Sequence, residues 1–259
     1  MAGFSWVDLP MIFVERNPFV VEAPNSYGLI VYARDTRRWF MVKRRHSHYL
    51  ILILRGCFVT ANIPEFVAGL SNDEAFHLSQ CLESMEYLQQ YIMETFQEEK
   101  TITLKLIWGR FQECKAIFQS CLSLRDANIN DNEWGWVKGR QISIPSKKYL
   151  ESGQDAAFRE FEEESGINLL TSAKNLIIST KTFQFSMTGN FGRNYTSHFW
   201  ICLIDHEIHP PAEFKDYIEV SERAWLSKHE VEDKIDKKLQ SFFRTVESYV
   251  DKKILRYSN

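Results

Sequence analysis

Four glutamates lie within five positions, at Glu160, Glu162, Glu163 and Glu164. On a helix, residues 160, 163 and 164 are spaced i, i+3 and i+4, so three of the carboxylates would share one face. Hard divalent cations such as Mg²⁺ and Mn²⁺ prefer carboxylate oxygens and bind well where substrate phosphates complete their coordination. The spacing therefore favours metal-assisted chemistry on a phosphate. The more common meaning of such a charge run is an acidic helix face exposed to water.

The residues around this cluster resemble the Nudix box, whose pattern is G-x5-E-x7-R-E-U-x-E-E-x-G-U with U apolar. Glu151 stands eight residues before Arg159, both apolar positions match, and Gly166 is placed to end the helix in a left-handed conformation. The departure is the first glycine of the pattern, which is replaced by Pro145. The match identifies the chain as a member of the Nudix family with an altered loop before the box helix.

Nudix membership implies roles for five box residues. Glu160, Glu163 and Glu164 are expected to bind Mg²⁺ or Mn²⁺. Arg159 would orient a box carboxylate through a charged hydrogen bond, and Glu151 would support the loop and helix. The reaction implied is metal-dependent hydrolysis of a pyrophosphate linkage, in which a carboxylate removes a proton from the attacking water.

A segment upstream of the box resembles one branch of the family. Trp136 to Arg140 is similar to the P-K-G-K segment that precedes the box in mRNA-decapping members. The stretch from Gly139 to Arg159 is longer than in the compact pattern, which predicts an insertion around residues 143–148. The resemblance implies that Gly139 and a neighbouring backbone carbonyl replace the missing box glycine at the metal.

A second segment points to the same branch. Glu219 to Trp225 is similar to the E-I-x-x-I-E-W stretch of decapping Nudix enzymes, whose leading glutamate acts there as the general base. The resemblance implies that Glu219 is the catalytic base. Glu163 is the rival for that role, because a glutamate six residues before a tryptophan also occurs by chance.

The pattern of apolar residues predicts the elements that position these groups. Gly28–Ala33 and Trp39–Lys43 read as a β-hairpin with a turn at Asp35–Arg38. A capping box at Ser71 begins a long amphipathic helix that continues to Ile92, and a second helix includes Trp108–Cys121. The box helix, β-rich runs at Leu176–Phe185 and Tyr195–Ile204, and a last helix from Val231 complete the chain.

We therefore predict an α/β fold, a Nudix α/β/α sandwich with a mainly helical insertion after the first β-hairpin. The chain is predicted to have three parts. Residues 1–48 form the N-terminal segment and the first hairpin of the core. Residues 49–130 form the helical insertion, and residues 131–259 form the rest of the core. This arrangement resembles the mRNA-decapping Nudix enzymes of large cytoplasmic DNA viruses, of the African swine fever virus type. Lys43–Ser47 is also similar to the corresponding stretch of those enzymes.

Composition limits the compartment and the partners. The 259 residues carry a formal charge of −3, so contact with RNA would need a local basic surface. The apolar run Tyr49–Leu54 is far shorter than the roughly 20 residues that cross a bilayer. The five cysteines contain no C-x-x-C pair, and the first residues do not resemble a secretory signal. These features favour a cytoplasmic protein with reduced thiols and no membrane partner, in a host cell if the protein is viral.

Two groups of residues could recognise the substrate. A basic strip, which we define as residues 34–45, contains Arg37, Arg38, Lys43, Arg44 and Arg45, and with Lys138 it could follow phosphates. A solvated basic hairpin is the alternative, and an RNA surface on the insertion, around Lys100, Lys105, Arg110 and Lys115, is another. Trp134 and Trp136 could stack on a methylated guanine, although buried strand tryptophans are the commoner case.

The resemblance makes mRNA decapping the predicted function, with capped mRNA as the partner and m7GDP and 5′-monophosphate RNA as the products. Hydrolysis of small diphosphates, such as diphosphoinositol polyphosphates or nucleotides, is the alternative activity. A Nudix-fold RNA- or nucleotide-binding module without catalysis is the alternative of another class. Intact box carboxylates disfavour this last alternative, because an inactive copy would usually have lost one of them.

Overall fold

The structure is a computed structural model that describes residues 25–96, 101–126, 134–144, 149–188, 194–212 and 219–257. Three sequence predictions fall outside these ranges. They are the N-terminal segment before residue 25, most of the extra loop residues at 145–148, and the boundary between insertion and core at 130–131.

The strands form one mixed sheet and a small separate ribbon. The described strands are β1 (Asn25–Ala33), β2 (Arg38–Arg44), β3 (Trp134–Gly135), β4 (Lys138–Gly139), β5 (Ser143–Ile144), β6 (Tyr149–Leu150), β7 (Ile177–Ile178), β8 (Phe183–Thr188), β9 (Asn194–Ile204) and β10 (Val220–Leu226). The main sheet has the order β10-β2-β1-β9-β7, with β3 paired to β2, β4 to β1 and β8 to β9, and β5 pairs with β6 in the ribbon. β1 and β9 run parallel, whereas the other described pairs are antiparallel.

The helices fall into two groups along the chain. The first group lies between β2 and β3 and comprises α1 (His48–Leu54), α2 (Ile63–Ala68), α3 (Asn72–Glu83), α4 (Met85–Phe96) and α5 (Thr101–Leu124), with a 3₁₀ turn at Thr60–Asn62. The second group follows β6 and comprises α6 (Gly153–Ser165), α7 (Leu169–Ser172), α8 (Lys228–Lys234) and α9 (Lys237–Tyr257).

Alternating side chains of the sheet bury both of its faces. In β1, Leu29 and Val31 belong to the core shared with Phe161 of α6. Ile30 belongs to the core on the opposite face, with Phe243 of α9. Because neighbouring strand residues point to opposite faces, one strand supplies both cores. Helices therefore cover the sheet on both sides, and the predicted α/β/α sandwich is confirmed.

The helices between β2 and β3 have a hydrophobic core of their own. Buried side chains from all five helices form it, among them Leu50, Phe66, Leu78, Leu88 and Phe118. Phe58 and Phe118 meet edge to face with ring centroids 5.1 Å apart. A mainly helical insertion after the first hairpin is thus confirmed. We call α1–α5 the helical segment.

Two predicted helices are each split in the structure. The helix expected from Ser71 to Ile92 is interrupted at Ser84, which has extended backbone angles and accepts a hydrogen bond from Tyr87 N at 3.1 Å. The helix expected from Val231 begins earlier, after Ser227, and breaks at Ile235 before α9. Ser84 caps the start of α4, and Ser227 caps the start of α8. Apolar periodicity does not reveal the breaks, because apolar residues continue at helical spacing across them.

Within the described parts of the chain, no helix combines the length and the apolar character needed to cross a membrane.

Candidate functional site

The box helix α6 has clear signals at both ends. The Ser152 side chain caps its start by accepting a hydrogen bond from Asp155 N at 3.0 Å. Gly166 ends it in the left-handed conformation, with φ of 76°, as the sequence predicts. Phe161 is buried against Phe40, with ring centroids 5.2 Å apart, which fixes the rotation of the helix about its axis. The opposite side of α6 therefore presents its charged residues.

Arg159 connects the predicted box carboxylates. Its guanidinium donates to Glu151 Oε1 at 2.6 Å, to Glu160 Oε1 at 2.8 Å and to Glu163 Oε2 at 2.9 Å. It also donates to the backbone carbonyl of Arg140 at 2.8 Å. Burial by itself would lower the pKa of Arg159, but the carboxylates of Glu151 and Glu160 outweigh it and raise this pKa. The structure thus brings four of the predicted box residues into direct contact.

Glu151 makes hydrogen bonds to the loop before α6. Its side chain is buried, and besides Arg159 it accepts a hydrogen bond from Ile142 N at 2.9 Å. Its backbone carbonyl accepts from Gln141 Nε2 at 2.6 Å. A buried carboxylate with these partners holds the loop against the helix, which is the supporting role that the resemblance implies for Glu151.

Gly139 lies directly against the carboxylate of Glu160. A Cβ at position 139 would come within 1.8 Å of Glu160 Cδ and about as close to both carboxylate oxygens. Only glycine leaves room for this approach of the β4 backbone. The residue expected to replace the missing box glycine is thus placed beside one of the predicted metal ligands.

Glu219 reaches the site from a distant part of the sequence. Burial raises the pKa of Glu160, the negative charges of Glu163 and Glu219 raise it further, and Arg159 opposes them. Glu219 lies next to the end of β2, where its backbone carbonyl accepts a hydrogen bond from Arg45 N at 2.9 Å. The general-base candidate is therefore close enough to the box glutamates to act on their ionisation.

Glu164 lies near the C-terminal end of α6, where it contacts Arg223. Arg223 was not among the residues that the sequence singled out. Arg223 Nε donates to the backbone carbonyl of Glu164 at 2.6 Å. The pairing of β10 with β2 brings Arg223 to this position, and no spacing in the sequence predicts that pairing. In the described ranges, no three His, Cys, Asp or Glu side chains already lie together as a metal-binding group. Glu160 and Glu163 instead turn toward Arg159.

The basic strip is divided between two places. At the turn of the hairpin, Arg37 has a φ of 55° and Arg38 lies 3.9 Å from Glu207. Lys43 pairs with Glu222 at 3.0 Å, and Arg44 and Arg45 are exposed at the other end of β2. At about 3.3 Å per residue, Arg38 and Arg44 are about 20 Å apart along the strand. The strip is therefore not one continuous surface beside the box.

Trp134 and Trp136 require a correction. Both rings are buried, with exposed fractions of 6% and 5%, and both belong to the core under α8 and α9. Trp136 packs against Phe242 with ring centroids 5.7 Å apart, and Lys234 Nζ lies 5.3 Å from the centre of the Trp134 ring. Neither ring offers an open face to a base, because apolar neighbours in the sandwich occupy that space. Trp134 and Trp136 are therefore buried tryptophans of the core, which is the alternative that the sequence also offered.

Two basic residues of the helical segment, Arg110 and Lys115, make contacts within the protein. Arg110 donates to the backbone carbonyl of Gly56 at 2.6 Å, and Lys115 pairs with Glu83 at 2.6 Å. Lys100 lies outside the described residues, and Lys105 is exposed on α5. The structure thus assigns folding contacts to two of the four residues considered as an alternative RNA surface.

Lys138 of β4 is partly exposed and interacts with several elements. Its Nζ donates to Ser197 Oγ at 3.1 Å, and that hydroxyl lies 2.8 Å from Ser26 Oγ. The pKa of Lys138 is lowered to about 8, mainly by burial and also by the charge of Arg44, while the charge of Glu164 acts in the opposite direction. Lys138 therefore lies between the end of β2 and the end of the box helix.

Comparison with known proteins finds a viral relative and similar solved structures. No protein-family model matches the chain. A protein of Acanthamoeba polyphaga mimivirus, described as "Putative mRNA-decapping protein", is 23% identical over 223 residues, which cover 76% of this chain and 60% of the relative. The chain thus spans less than two thirds of the relative that it matches.

Two solved structures resemble the chain over most of its length. The Escherichia coli dihydroneopterin triphosphate pyrophosphohydrolase is 14% identical with a TM-score of 0.38, covering 83% of this chain and 88% of that chain. A Caenorhabditis elegans Ap4A hydrolase, in a binary complex, is 10% identical with a TM-score of 0.43, covering 88% of this chain and 97% of that chain. At these TM-scores neither likeness supports a functional argument.

Proposed function

We propose that the protein is a divalent-metal-dependent pyrophosphohydrolase of the Nudix type. The observation that carries this proposal is the contact network of Arg159, which binds Glu151, Glu160 and Glu163 while Glu160 lies against Gly139. Residues at the spacing of the box thus also meet in space. An acidic helix face that is merely solvated would need neither a buried Glu151 nor this close approach of the backbone.

The donor set fits a hard divalent cation. The residues that would hold it are Glu160, Glu163 and Glu164, with the backbone at Gly139, and all of these offer oxygen atoms. Arg159 contacts Glu151, Glu160 and Glu163, so the site carries more negative charge than one guanidinium neutralises. Bound Mg²⁺ or Mn²⁺ would supply charge neutralisation at the diphosphate and a more acidic water.

The protein's own residues would position and deprotonate that water. Arg159 holds Glu163 at 2.9 Å and Glu160 at 2.8 Å, which fixes the directions of both carboxylates. Glu219 lies beside the end of β2 and is exposed, and its charge acts on Glu160, so it would be able to accept a proton from water. We assign the base to Glu219 from its match to the leading glutamate of the E-I-x-x-I-E-W stretch, with Glu163 as the rival.

We propose capped mRNA as the substrate, with m7GDP and 5′-monophosphate RNA as products. The mimivirus relative and the sequence resemblance to decapping enzymes support this choice, and they make a viral, cytoplasmic RNA-binding enzyme the matching context. Arg44, Arg45 and Lys138 provide positive charge at the box, as a phosphate chain would require. Small diphosphates remain the alternative substrates, and a catalytically inactive binding module is the alternative of another class.

One assay separates these alternatives. The purified chain is incubated with cap-labelled RNA, a nucleoside diphosphate compound and a diphosphoinositol polyphosphate, each with Mg²⁺, with Mn²⁺ or with EDTA. We expect metal-dependent release of m7GDP, with a higher kcat/KM for capped RNA than for the small compounds. A higher kcat/KM for a small compound would favour the alternative activity. Binding of RNA without hydrolysis of any substrate would favour the inactive module.

A further inference from the structure

The first residues of β10 pair irregularly with β2, just after Glu219. Beyond this point the strand follows β2 in a regular antiparallel register, and Glu222 lies opposite Lys43. The next pair is Val220 with Arg44, so β10 advances by two residues where β2 advances by one. The extra residue of β10 therefore forms a β-bulge.

The burial of Val220 agrees with the bulge. Val220 is 1% exposed and belongs to the same core as Trp225, which is the core under α6. The two residues are five positions apart, and strand residues an odd number apart point to opposite faces in a regular strand. The extra residue between them lets both side chains enter one core. The bulge thus follows from where the apolar side chains of β10 lie.

The extra residue, Ser221, also supplies a hydrogen-bond donor. Its Oγ lies 3.2 Å from the backbone carbonyl oxygen of Lys43 and 3.2 Å from that of Arg44, and it can donate to either of them. A bulge disrupts the regular backbone ladder, so a side-chain donor at this point compensates. The bulge is therefore bonded to the last two residues of β2.

Contacts on both sides of the bulge fix its ends. On one side, Arg223 lies opposite Val42, and its Nε donates to the backbone carbonyl of Glu164 at 2.6 Å, so this part of β10 is held against the box helix. On the other side, Arg45 N donates to the backbone carbonyl of Glu219 at 2.9 Å. Because Arg223 is held in place, the path of the chain between it and Glu219 decides where Glu219 lies.

A regular ladder would place Glu219 differently. If the register of Arg223 with Val42 continued without a bulge, Glu219 would lie opposite His46. The bulge instead keeps Glu219 beside Arg45, one residue and about 3.3 Å from that position. A step of one residue also reverses the face to which a strand side chain points.

We propose that this bulge positions Glu219 as the base, with buried Val220 as the residue that holds the register. The inference rests on the proposed function, because it assumes that Glu219 accepts a proton from water. Proton transfer requires the base to be within hydrogen-bond reach of that water, and a displacement of about 3 Å would remove Glu219 from it. Val220 and Ser221 are therefore positioning residues, since neither needs to touch the substrate.

An exchange of two neighbouring residues tests this position without changing the composition. In the double variant Val220→Ser with Ser221→Val, a regular ladder brings the valine opposite Arg44 and into the core, so the bulge is no longer required. Glu219 then moves by one residue, and kcat should fall at least about tenfold with little change in KM. Mn²⁺ affinity, measured by electron paramagnetic resonance, should change less than about threefold, because the box glutamates lie on α6.

Deletion of Ser221 from the parent chain is the matched rescue. It removes the bulge by shortening the strand, so Val220 stays opposite Arg44 and Glu219 stays beside Arg45 in a regular ladder. Its kcat should exceed that of the exchanged variant by at least about fivefold. In a Glu219→Gln background the exchange should cause no further loss of kcat, because it acts through that carboxylate.

Cross-strand nuclear Overhauser effects report the register without turnover. Residue 220 should lie opposite Arg44 in the parent, and residue 221 should do so in the exchanged variant. An unchanged register after the exchange, or an exchanged variant as active as the parent, would overturn the proposal and leave the proposed function standing.

Failure of the parent to hydrolyse any diphosphate would instead remove the proposed function. The cross-strand effects would then still decide whether burial of a valine sets the register of β10. Should the exchanged variant fail to fold, the deletion variant decides the test. A folded deletion variant that loses as much activity as Glu219→Gln would overturn the proposal.

Discussion

Arg159 binds more negative charge than it can neutralise. It meets three carboxylates directly, and Glu219 adds a fourth charge that acts on Glu160. Glu151 is buried and fully engaged with the loop, whereas the side chain of Glu163 is 59% exposed. The three carboxylates therefore differ in what they can do, since a buried partner supports structure and an exposed one can meet a ligand.

Glu163→Gln should retain the fold and lower turnover by about 100-fold or more, because it removes a charged ligand or base without changing side-chain size. Glu162→Gln is the matched control on the same helix, where the Glu162 carboxylate accepts a hydrogen bond from Asn168 Nδ2 at 2.9 Å. Circular dichroism and kcat with Mg²⁺ check both variants. A folded Glu163→Gln protein with near-normal hydrolysis would contradict the assignment of the box.

Glu219→Gln should lower kcat by about 10² to 10⁴ and flatten the acidic limb of the pH profile, if Glu219 accepts the proton from water. Glu222→Gln is its control in the same strand region, because Glu222 pairs with Lys43 at 3.0 Å. The pH dependence of kcat measures the effect. A loss below about threefold would transfer the role of base to Glu163.

Glu160→Gln should make the metal-free protein more stable at neutral pH. Burial raises the folded-state pKa of Glu160 above its unfolded value, so ionisation of this carboxyl costs stability. Stability from this group is greatest at acidic pH and falls as pH rises from the unfolded to the folded pKa. We therefore expect a higher melting temperature than the parent in EDTA at pH 7, with the gain disappearing below about pH 4. A lower melting temperature at pH 7 would contradict this.

At the residue scale, the resemblance predicts that Arg159 orients a box carboxylate, and its guanidinium lies 2.8 Å from Glu160 and 2.9 Å from Glu163. The stacking role considered for Trp134 and Trp136 is wrong, because a tryptophan has the same sequence signal whether its ring is buried or exposed. Arg223 was not identified, since only the pairing of separate strands brings it to Glu164.

At the level of elements, the close pairing of β4 with the box helix depends on one glycine. Gly139 pairs with Tyr27 in the sheet while its open side faces the carboxylate of Glu160. The altered loop thus still delivers a backbone segment to the box helix, although the first glycine of the pattern is missing. The loop reaches it through the hydrogen bonds of Glu151.

Gly139→Ala should therefore displace the carboxylate of Glu160 and lower kcat by at least about tenfold, because no Cβ fits at 1.8 Å from Glu160 Cδ. Gly135→Ala is the matched control in the preceding strand, where a Cβ would have no described neighbour within 4 Å. Metal titration and kcat measure the two variants. Equal activity of the two would show that β4 does not constrain Glu160.

Periodicity predicted the elements better than their ends. The box helix ends at Gly166 as expected, because glycine gives a direct signal for a left-handed residue. The break at Ser84 was not predicted, because apolar residues continue at helical spacing on both sides of it. Only the separate packing of α3 and α4 on the core of the helical segment requires the break.

At the scale of the molecule, the site lies at one end of the sheet, where the hairpin leads into the helical segment. β2 joins these parts, since it ends at Arg44 and α1 begins at His48. The other end of β2 reaches the hairpin turn with Arg37 and Arg38. The basic strip therefore has one half near the site and one half distant from it.

Because the basic strip is divided, its two halves should contribute differently to the binding of RNA and of small substrates. Arg44→Glu with Arg45→Glu should weaken binding of capped RNA and also raise KM for a cap dinucleotide, because these residues adjoin the diphosphate. Arg37→Glu with Arg38→Glu should affect only a substrate long enough to reach the turn, about 20 Å away along β2. In this second variant we expect a smaller salt dependence of RNA binding and an unchanged KM for the dinucleotide.

Salt titrations of RNA affinity and dinucleotide kinetics on the same preparations separate the two halves. A protein specialised for small diphosphates would respond to the first pair of substitutions alone, since only a polymer needs phosphate contacts far from the scissile bond. An unchanged salt dependence in the Arg37 and Arg38 variant would remove the turn from the RNA path. If the salt dependence does change, Arg37 is the better single residue to substitute next, because its side chain is exposed at the turn whereas Arg38 lies 3.9 Å from Glu207.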